Sequence, residues 1–246
     1  MAHIAKTLWN AFENNTYTDL LVKCAGVDFH VHKVVVCSQS RFFRAACDHP
    51  CREHIEDTIT LPDDESIVIS RLVEFLYTGK YKGLEPEIGQ STSEKTMTTT
   101  EEHVESEFTL HAKMYAVAVK YGVADLDQTA KSRFRSLASK AWNTYDFLAS
   151  IPFIYNLIPE SDKGLREVAA NCMRHRLRSL LGDANACARW RQTCMEIPEF
   201  PLDVLDNFAR NPLQGSCSTC GPNQGVEPLQ LRCLTCGKGG ASQTRY

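Results

Sequence analysis

The 246-residue sequence has no run of about 18 apolar residues, so no segment is predicted to span a membrane. Its first residues lack a basic segment followed by an apolar run and a small-residue cleavage site. We therefore expect an intracellular protein, in the cytoplasm, the nucleus or both. A net charge of −3 excludes a uniformly basic surface, so any contact with nucleic acid is expected to be local.

Motifs that carry catalytic chemistry are also absent from the sequence. It contains no glycine-rich phosphate loop, no Gly-x-Ser-x-Gly segment and no His-Glu-x-x-His segment. Serine, histidine and aspartate are frequent enough to form a triad by chance, so their presence alone does not indicate a hydrolase. We predict that the protein is not an enzyme.

Apolar periodicity indicates a mixed α+β fold in the first half of the chain. Alternating apolar and polar residues predict short strands at 20–24, 27–32 and 57–61, followed by a helix that ends at Gly79. Before them lies the apolar stripe of a short helix, formed by Ile4, Leu8, Trp9 and Phe12. An apolar stripe of this kind packs against another surface. If the protein forms a homodimer, we expect these four residues to form the dimer interface.

Residues 82–107 differ in composition from the rest of the chain. Serine, threonine and glutamate dominate, and aromatic residues are missing. Such a segment has too little apolar surface to offset the entropy lost on ordering. We predict a disordered acidic insertion, whose hydroxyl groups are candidates for phosphorylation.

Helices alone are predicted between this insertion and the end of the helical region. A helical hairpin at 110–138 is followed by a segment at 144–158, in which Pro152 predicts a kink or an early break. A further helical pattern is interrupted at Gly182 and Asp183. The predicted divisions are an N-terminal helix (1–16), an α+β domain (17–138), an all-helical extension (139–210) and a cysteine-rich tail (211–246).

The tail contains two Cys-x-x-Cys pairs, Cys217 with Cys220 and Cys233 with Cys236. Two thiolates on each tight turn can face one ion, and Gly221 and Gly237 permit the left-handed backbone that such turns use. We predict a small zinc-ribbon-like tail, with a structural Zn²⁺ held by these four cysteines. Iron in place of zinc, and a redox dithiol, remain the alternatives.

Three further groups of residues have both a functional and a structural interpretation. Arg232 and Lys238 in the tail are candidate contacts to nucleic acid, although no aromatic residue lies between them for base stacking. His30 and His32 could share a metal or serve as structural histidines. The third group is either a solvated helix face or a surface for an acidic partner, and it comprises Arg174, His175, Arg176, Arg178, Arg189 and Arg191.

Several stretches of the sequence, taken together, resemble a BTB/POZ domain, in particular that of the BTB proteins of filamentous fungi. They are Tyr17–Val22, Phe29–Lys33, Ser40–Phe43, Ile59–Asp64 and Leu72–Tyr81. Beyond the insertion, Ala112–Val123 with Leu126 is similar to the helical hairpin that closes that domain. Residues 154–166 resemble the helical region that the fungal proteins carry next.

The resemblance implies a small sheet capped by helices, a protein-interaction role and, often, a dimer or an adaptor for a cullin ubiquitin-ligase scaffold. In cullin adaptors, an apolar residue, any residue and a glutamate precede the third strand, and Cys51, Arg52 and Glu53 occupy that place here. Cysteine is smaller than the usual apolar anchor. The alternative function is a nuclear transcription or chromatin regulator, in which the BTB domain oligomerises and the tail contacts nucleic acid.

Overall fold

The computed structural model describes residues 2–48, 56–84, 106–211, 213–226, 235–236 and 242–243. The chain forms two compact units, residues 1–159 and 160–246. In the described part of the chain, every helix is too short or too polar to span a bilayer. Residues 85–105, which make up most of the predicted insertion at 82–107, lie outside the described residues.

A three-stranded sheet lies in the first unit and has the order β2-β1-β3. Strands β1 (Leu20–Cys24) and β2 (Val27–Val31) are antiparallel, and β3 (Thr58–Leu61) pairs with β1 in parallel. The two-residue turn between β1 and β2 uses Ala25 and Gly26, both with positive φ. The predicted strands at 20–24 and 27–32 are confirmed. The parallel pairing joins segments more than thirty residues apart, and local periodicity does not encode it.

Helices surround this sheet and supply most of the core of the first unit. Helix α1 (Ala2–Glu13) precedes the sheet, α2 (Lys33–Gln39) and α3 (Arg41–Asp48) follow β2, and α4 (Ser66–Thr78) follows β3. The next helices are α5 (Glu107–Tyr121), α6 (Leu126–Lys140) and α7 (Thr144–Leu157). Gly79 and Gly122 end α4 and α5 in the left-handed conformation, as glycine does most readily.

Helix α7 is continuous through Pro152, so of the predicted kink or early break the early break is wrong, and the kink stays a prediction. Proline removes one hydrogen bond from the helix, but burial of the surrounding side chains keeps the segment helical. Those side chains include Phe147, Leu148, Ile151 and Ile154, each 0% exposed. Helix α7 packs on α5 within the first unit, although the sequence analysis assigned it to a separate extension beginning at residue 139.

The second unit contains three helices among its described residues, followed by short strands. They are α8 (Gly164–Leu181), α9 (Ala184–Glu196) and α10 (Glu199–Arg210). The predicted interruption at Gly182 and Asp183 is confirmed, because Asp183 accepts hydrogen bonds from the first amides of α9. Strands β4 (Leu213–Cys217), β5 (Gly221–Val226) and β6 (Ser242–Gln243) form an antiparallel sheet with the order β5-β4-β6.

Candidate interaction surfaces and metal centre

The apolar stripe of α1 is divided between a packed part and an exposed part. The rings of Trp9 and Phe12 lie 6.1 and 5.0 Å, respectively, from the ring of Tyr77 on α4. Leu8 is half-buried, whereas Ile4 is 65% exposed. The predicted dimer stripe therefore covers Tyr77 of its own chain at one end and leaves Ile4 accessible at the other.

Whereas His30 is exposed, His32 is buried and both of its ring nitrogens lie near protein oxygen atoms. Its Nδ1 lies 2.6 Å from the Tyr77 hydroxyl, and its Nε2 lies 2.9 Å from the Thr16 carbonyl oxygen. Its backbone amide also donates to the Tyr77 hydroxyl, at 2.9 Å. Burial raises the pKa of Tyr77 to about 12, so this phenol stays neutral in its structural role.

A second buried histidine joins the two sides of the insertion. His111 Nδ1 lies 3.0 Å from the Tyr81 hydroxyl, and the guanidinium of Arg133 packs over the Tyr81 ring. Burial, with a smaller effect of Arg133, lowers the pKa of His111 to about 4, despite the Glu107 carboxylate 3.4 Å from its Nε2. The neutral imidazole satisfies both contacts when its proton is on Nε2, so this group is also structural.

An open groove of about 550 Å³ lies in the first unit, between the residues after β3, helix α5 and helix α7. Four of the charged groups at its rim form ion pairs, with Lys113 bound to Glu65 and Lys120 bound to Asp64, each at 2.7 Å. Its apolar lining includes Val68, Val117, Phe153 and Leu157. Sequence reasoning missed this concave surface because its residues come from three segments that are distant in sequence.

Three of the four predicted metal ligands converge in the tail. The sulfur atoms of Cys217, Cys220 and Cys236 all lie within 4.8 Å of one another, and Cys217 is buried. Gly221 follows the first pair with a φ of +87°, which confirms the left-handed turn predicted there. Cys233 and Gly237 lie outside the described residues. The cluster has the donors and the separations that a tetrahedral thiolate site uses.

Other predicted sites also lie outside the described residues: Cys51, Arg52 and Glu53, and the tail residues Arg232 and Lys238. In the arginine-rich group of the second unit, Arg174 is not on a solvated face. It is half-buried and donates hydrogen bonds to the carbonyl oxygens of Asn207 and Asn211. His175 and Arg178 are exposed, in agreement with the solvated interpretation.

Comparisons with known proteins match a large part of the first unit. Residues 8–123 match the sequence model of the BTB/POZ domain. Among curated proteins, this chain is similar to mouse "TD and POZ domain-containing protein 1-like", "TD and POZ domain-containing protein 5" and "TD and POZ domain-containing protein 1". Each is 32% identical over 73 residues, or 30% of this chain. The aligned segment covers 20 to 22% of these relatives.

A solved structure described as the BTB domain of zebrafish PATZ1 is also similar, with a TM-score of 0.40 and 11% sequence identity. The alignment covers 55% of this chain and 91% of that one. The predicted filamentous-fungal type stays a prediction.

Proposed function

Because residues 8–123 form a BTB/POZ domain, we propose that this protein is a non-catalytic protein-interaction adaptor. The family match carries the proposal, since BTB/POZ domains are protein-interaction modules. In this function the domain associates with a second copy of the chain or docks on a cullin-type ubiquitin-ligase scaffold. The rest of the chain then recruits another protein, and the adaptor acts by bringing its partners together.

The contacts of the titratable groups in the first unit support a non-catalytic role. The buried His32 and His111 both pair with tyrosine hydroxyls. The Tyr121 hydroxyl donates to Asp64 at 2.5 Å, and burial together with Asp64 raises the pKa of Tyr121. These buried groups are therefore held in packing contacts, whereas a catalytic acid or base must reach a substrate.

Cullin docking is the more specific form of the proposal, and it rests on the resemblance of Cys51, Arg52 and Glu53 to the adaptor motif. The acidic residue is the testable member of this motif, because reversing its charge replaces an attraction with a repulsion at a protein interface. A Glu53→Lys variant should therefore lose the scaffold while the fold is retained.

The decisive experiment is affinity purification of the full chain from its native cells, followed by mass spectrometry, for wild type and Glu53→Lys. Glu160→Lys is a matched control, because Glu160 is an exposed acidic residue at the start of the second unit. We expect a cullin with wild type and with Glu160→Lys but not with Glu53→Lys. Absence of a cullin from all three samples would contradict docking on this scaffold.

Such an adaptor would work in the cytoplasm or the nucleus, where cullin scaffolds and their substrates are found. Fluorescence microscopy of the tagged full chain in its native cells tests this localisation. Signal confined to the secretory pathway would contradict it.

A further inference from the structure

The tail of the second unit has the geometry of a metal site that lies outside the matched domain. Cys217 Sγ and Cys236 Sγ are 3.5 Å apart, and Cys220 Sγ lies within 4.8 Å of both. Zinc–thiolate bonds of about 2.3 Å at tetrahedral angles place ligand sulfurs about 3.8 Å apart. A disulfide requires about 2.05 Å, so the Cys217–Cys236 separation fits metal ligands and not a covalent bond.

We propose that Cys217, Cys220, Cys233 and Cys236 bind one Zn²⁺ ion, and that this ion stabilises the tail. Cys236 is described within the cluster, and a Cys-x-x-Cys pair presents both sulfurs to the same ion. Cys233, the other member of that pair, lies outside the described residues, and the sequence spacing is what assigns it as the fourth ligand in this proposal. Four thiolates complete the tetrahedral shell, so the ion has no open position for water or substrate and its role is structural.

The backbone around the first pair orients the sulfur of Cys217. The amide of Thr219 donates to Cys217 Sγ at 3.4 Å, and hydrogen bonds of this kind commonly orient metal ligands. Gly221 turns the chain back at a φ of +87°, and among the described residues, its chain neighbours aside, no atom lies within 4 Å of the position that a side chain would take there. The turn is therefore selected for its backbone conformation and not for lack of space.

A hydrogen bond connects the second pair to the first. The hydroxyl of Thr235, the residue before Cys236, donates to the side chain of Gln224 on β5 at 2.8 Å. The same Gln224 amide donates to the carbonyl oxygen of Cys220, at 3.4 Å. One glutamine side chain thus links the backbone of Cys220 to the residue before Cys236, and it provides the outer support that metal ligands commonly have.

The composition of the tail favours stabilisation by a metal. Residues 211–246 contain five large aliphatic side chains, Leu213, Val226, Leu229, Leu231 and Leu234. So few apolar side chains can bury little area, and metals commonly stabilise small segments of this kind. Three clustered thiolates would also repel one another without a cation between them.

The first test is the metal content of the full chain, purified under reducing conditions without added metal, by inductively coupled plasma mass spectrometry. We expect one zinc per chain in wild type and a loss of most of it in Cys217→Ser, Cys233→Ser and Cys236→Ser. Cys187→Ser is the matched control, because Cys187 is a half-buried cysteine on α9 and not part of the cluster. This control should retain one zinc per chain.

A second test needs no variant and so does not depend on whether a substituted tail folds. Co²⁺ exchanged into the wild-type chain should give the intense visible absorption of a tetrahedral ion with sulfur-to-metal charge transfer, and added Zn²⁺ should remove it. Hydrogen exchange of the amides at 213–226 should accelerate by at least about tenfold when zinc is extracted, since metal binding is coupled to folding. Exchange in α5 should not change.

Three outcomes would overturn the assignment. Wild type containing less than about 0.2 zinc per chain, or iron in its place, would reject zinc. Full zinc retention by Cys217→Ser and Cys236→Ser would reject the ligands. A Co²⁺ spectrum without charge-transfer bands would reject thiolate coordination. Because the BTB/POZ domain lies in residues 8–123, the assignment stands or fails independently of cullin docking.

Discussion

At the scale of single residues, the hydroxyl of Tyr77 holds several parts of the first unit together. It accepts the backbone amide of His32 and contacts the imidazole of the same residue, while its ring packs against α1. The partners are 45 residues apart in sequence. The sequence places His32 at the end of a strand pattern and Tyr77 in a helix, but it contains no local sign of their contact.

Tyr77→Phe should lower the free energy of unfolding by about 1–3 kcal/mol, because it keeps the ring and leaves the buried amide of His32 without its acceptor. Chemical denaturation of the full chain measures this change. Tyr145→Phe is the matched control, since Tyr145 is 49% exposed, and it should change stability by less than about 0.5 kcal/mol. Equal effects of the two substitutions would contradict the assigned role.

His111 should make the stability of the first unit dependent on pH between about 6.5 and 4. Burial and Arg133 hold its folded-state pKa at about 4, below the ordinary value of 6.5, so the unfolded chain binds the proton more tightly. Its contribution is therefore fully present above pH 6.5 and is lost as the pH falls towards 4, with a total of about 3 kcal/mol.

Denaturation curves of wild type and His111→Gln over this pH range test the prediction. The titratable and charged neighbours Glu107, Tyr81 and Arg133 remain in both proteins, so the difference between the two curves isolates the imidazole. The variant should lose about 3 kcal/mol less than wild type between pH 6.5 and 4. Parallel curves would show that His111 does not titrate in the folded state as expected.

At the scale of elements, the ends of the acidic insertion are fixed by contacts of the folded domain. Glu107 at the start of α5 accepts the backbone amide of Leu84 at 2.5 Å, and Glu74 on α4 accepts that of Lys82 at 2.9 Å. The composition at 82–107 predicted disorder throughout. It did not indicate that the terminal residues of this stretch are held in place, because their partners lie on α4 and α5.

Replacing residues 85–105 with a linker of about six glycine and serine residues should leave the fold unchanged, since such a linker spans the short distance between Leu84 and Glu107. Closing a shorter loop alters the free energy of unfolding by only about 1 kcal/mol. Thermal unfolding of the shortened chain measures the effect. A loss of more than about 3 kcal/mol would mean that the removed residues pack on the domain.

Helix α1 shows how an amphipathic pattern can be predicted while its partner surface is not. The spacing of Ile4, Leu8, Trp9 and Phe12 correctly indicated a helix that docks through one stripe. Part of that stripe covers Tyr77 of the same chain, which the sequence could not show because α4 lies more than fifty residues away. Ile4 remains accessible and is the residue on which self-association is best tested.

If self-association uses α1, Ile4→Glu should convert a dimer of the full chain into a monomer without loss of stability, because Ile4 is already exposed. Trp9→Ala is the informative contrast, since it removes a ring packed against Tyr77 and should lower the free energy of unfolding by about 2 kcal/mol or more. Light scattering after gel filtration gives the mass. An unchanged dimer mass in Ile4→Glu would exclude this face as the interface.

At the scale of the whole molecule, the boundary of the first unit differs most from the sequence analysis. The presence of helices was predictable along most of the chain. The predicted end of the α+β domain at residue 138, however, rested on the resemblance to a compact domain, because the packing of α7 could not be read from the sequence. The structure joins α7 to the first unit, where Phe108 contacts Phe147 with ring centroids 5.5 Å apart. Local periodicity shows that a helix is amphipathic, but not which neighbour covers its apolar face.

A fragment of residues 1–159 should therefore fold cooperatively, whereas a fragment of residues 1–140 should not. The shorter fragment lacks α7 and exposes the core surface of α5 that this helix covers. Each of the four fully buried side chains that α7 supplies contributes about 1.5–3 kcal/mol, and their sum approaches the whole stability of a domain. Thermal unfolding followed by circular dichroism distinguishes the two fragments. A sharp transition of equal midpoint in both would place the boundary back at the end of α6, and α7 would then be a dispensable addition to the first unit.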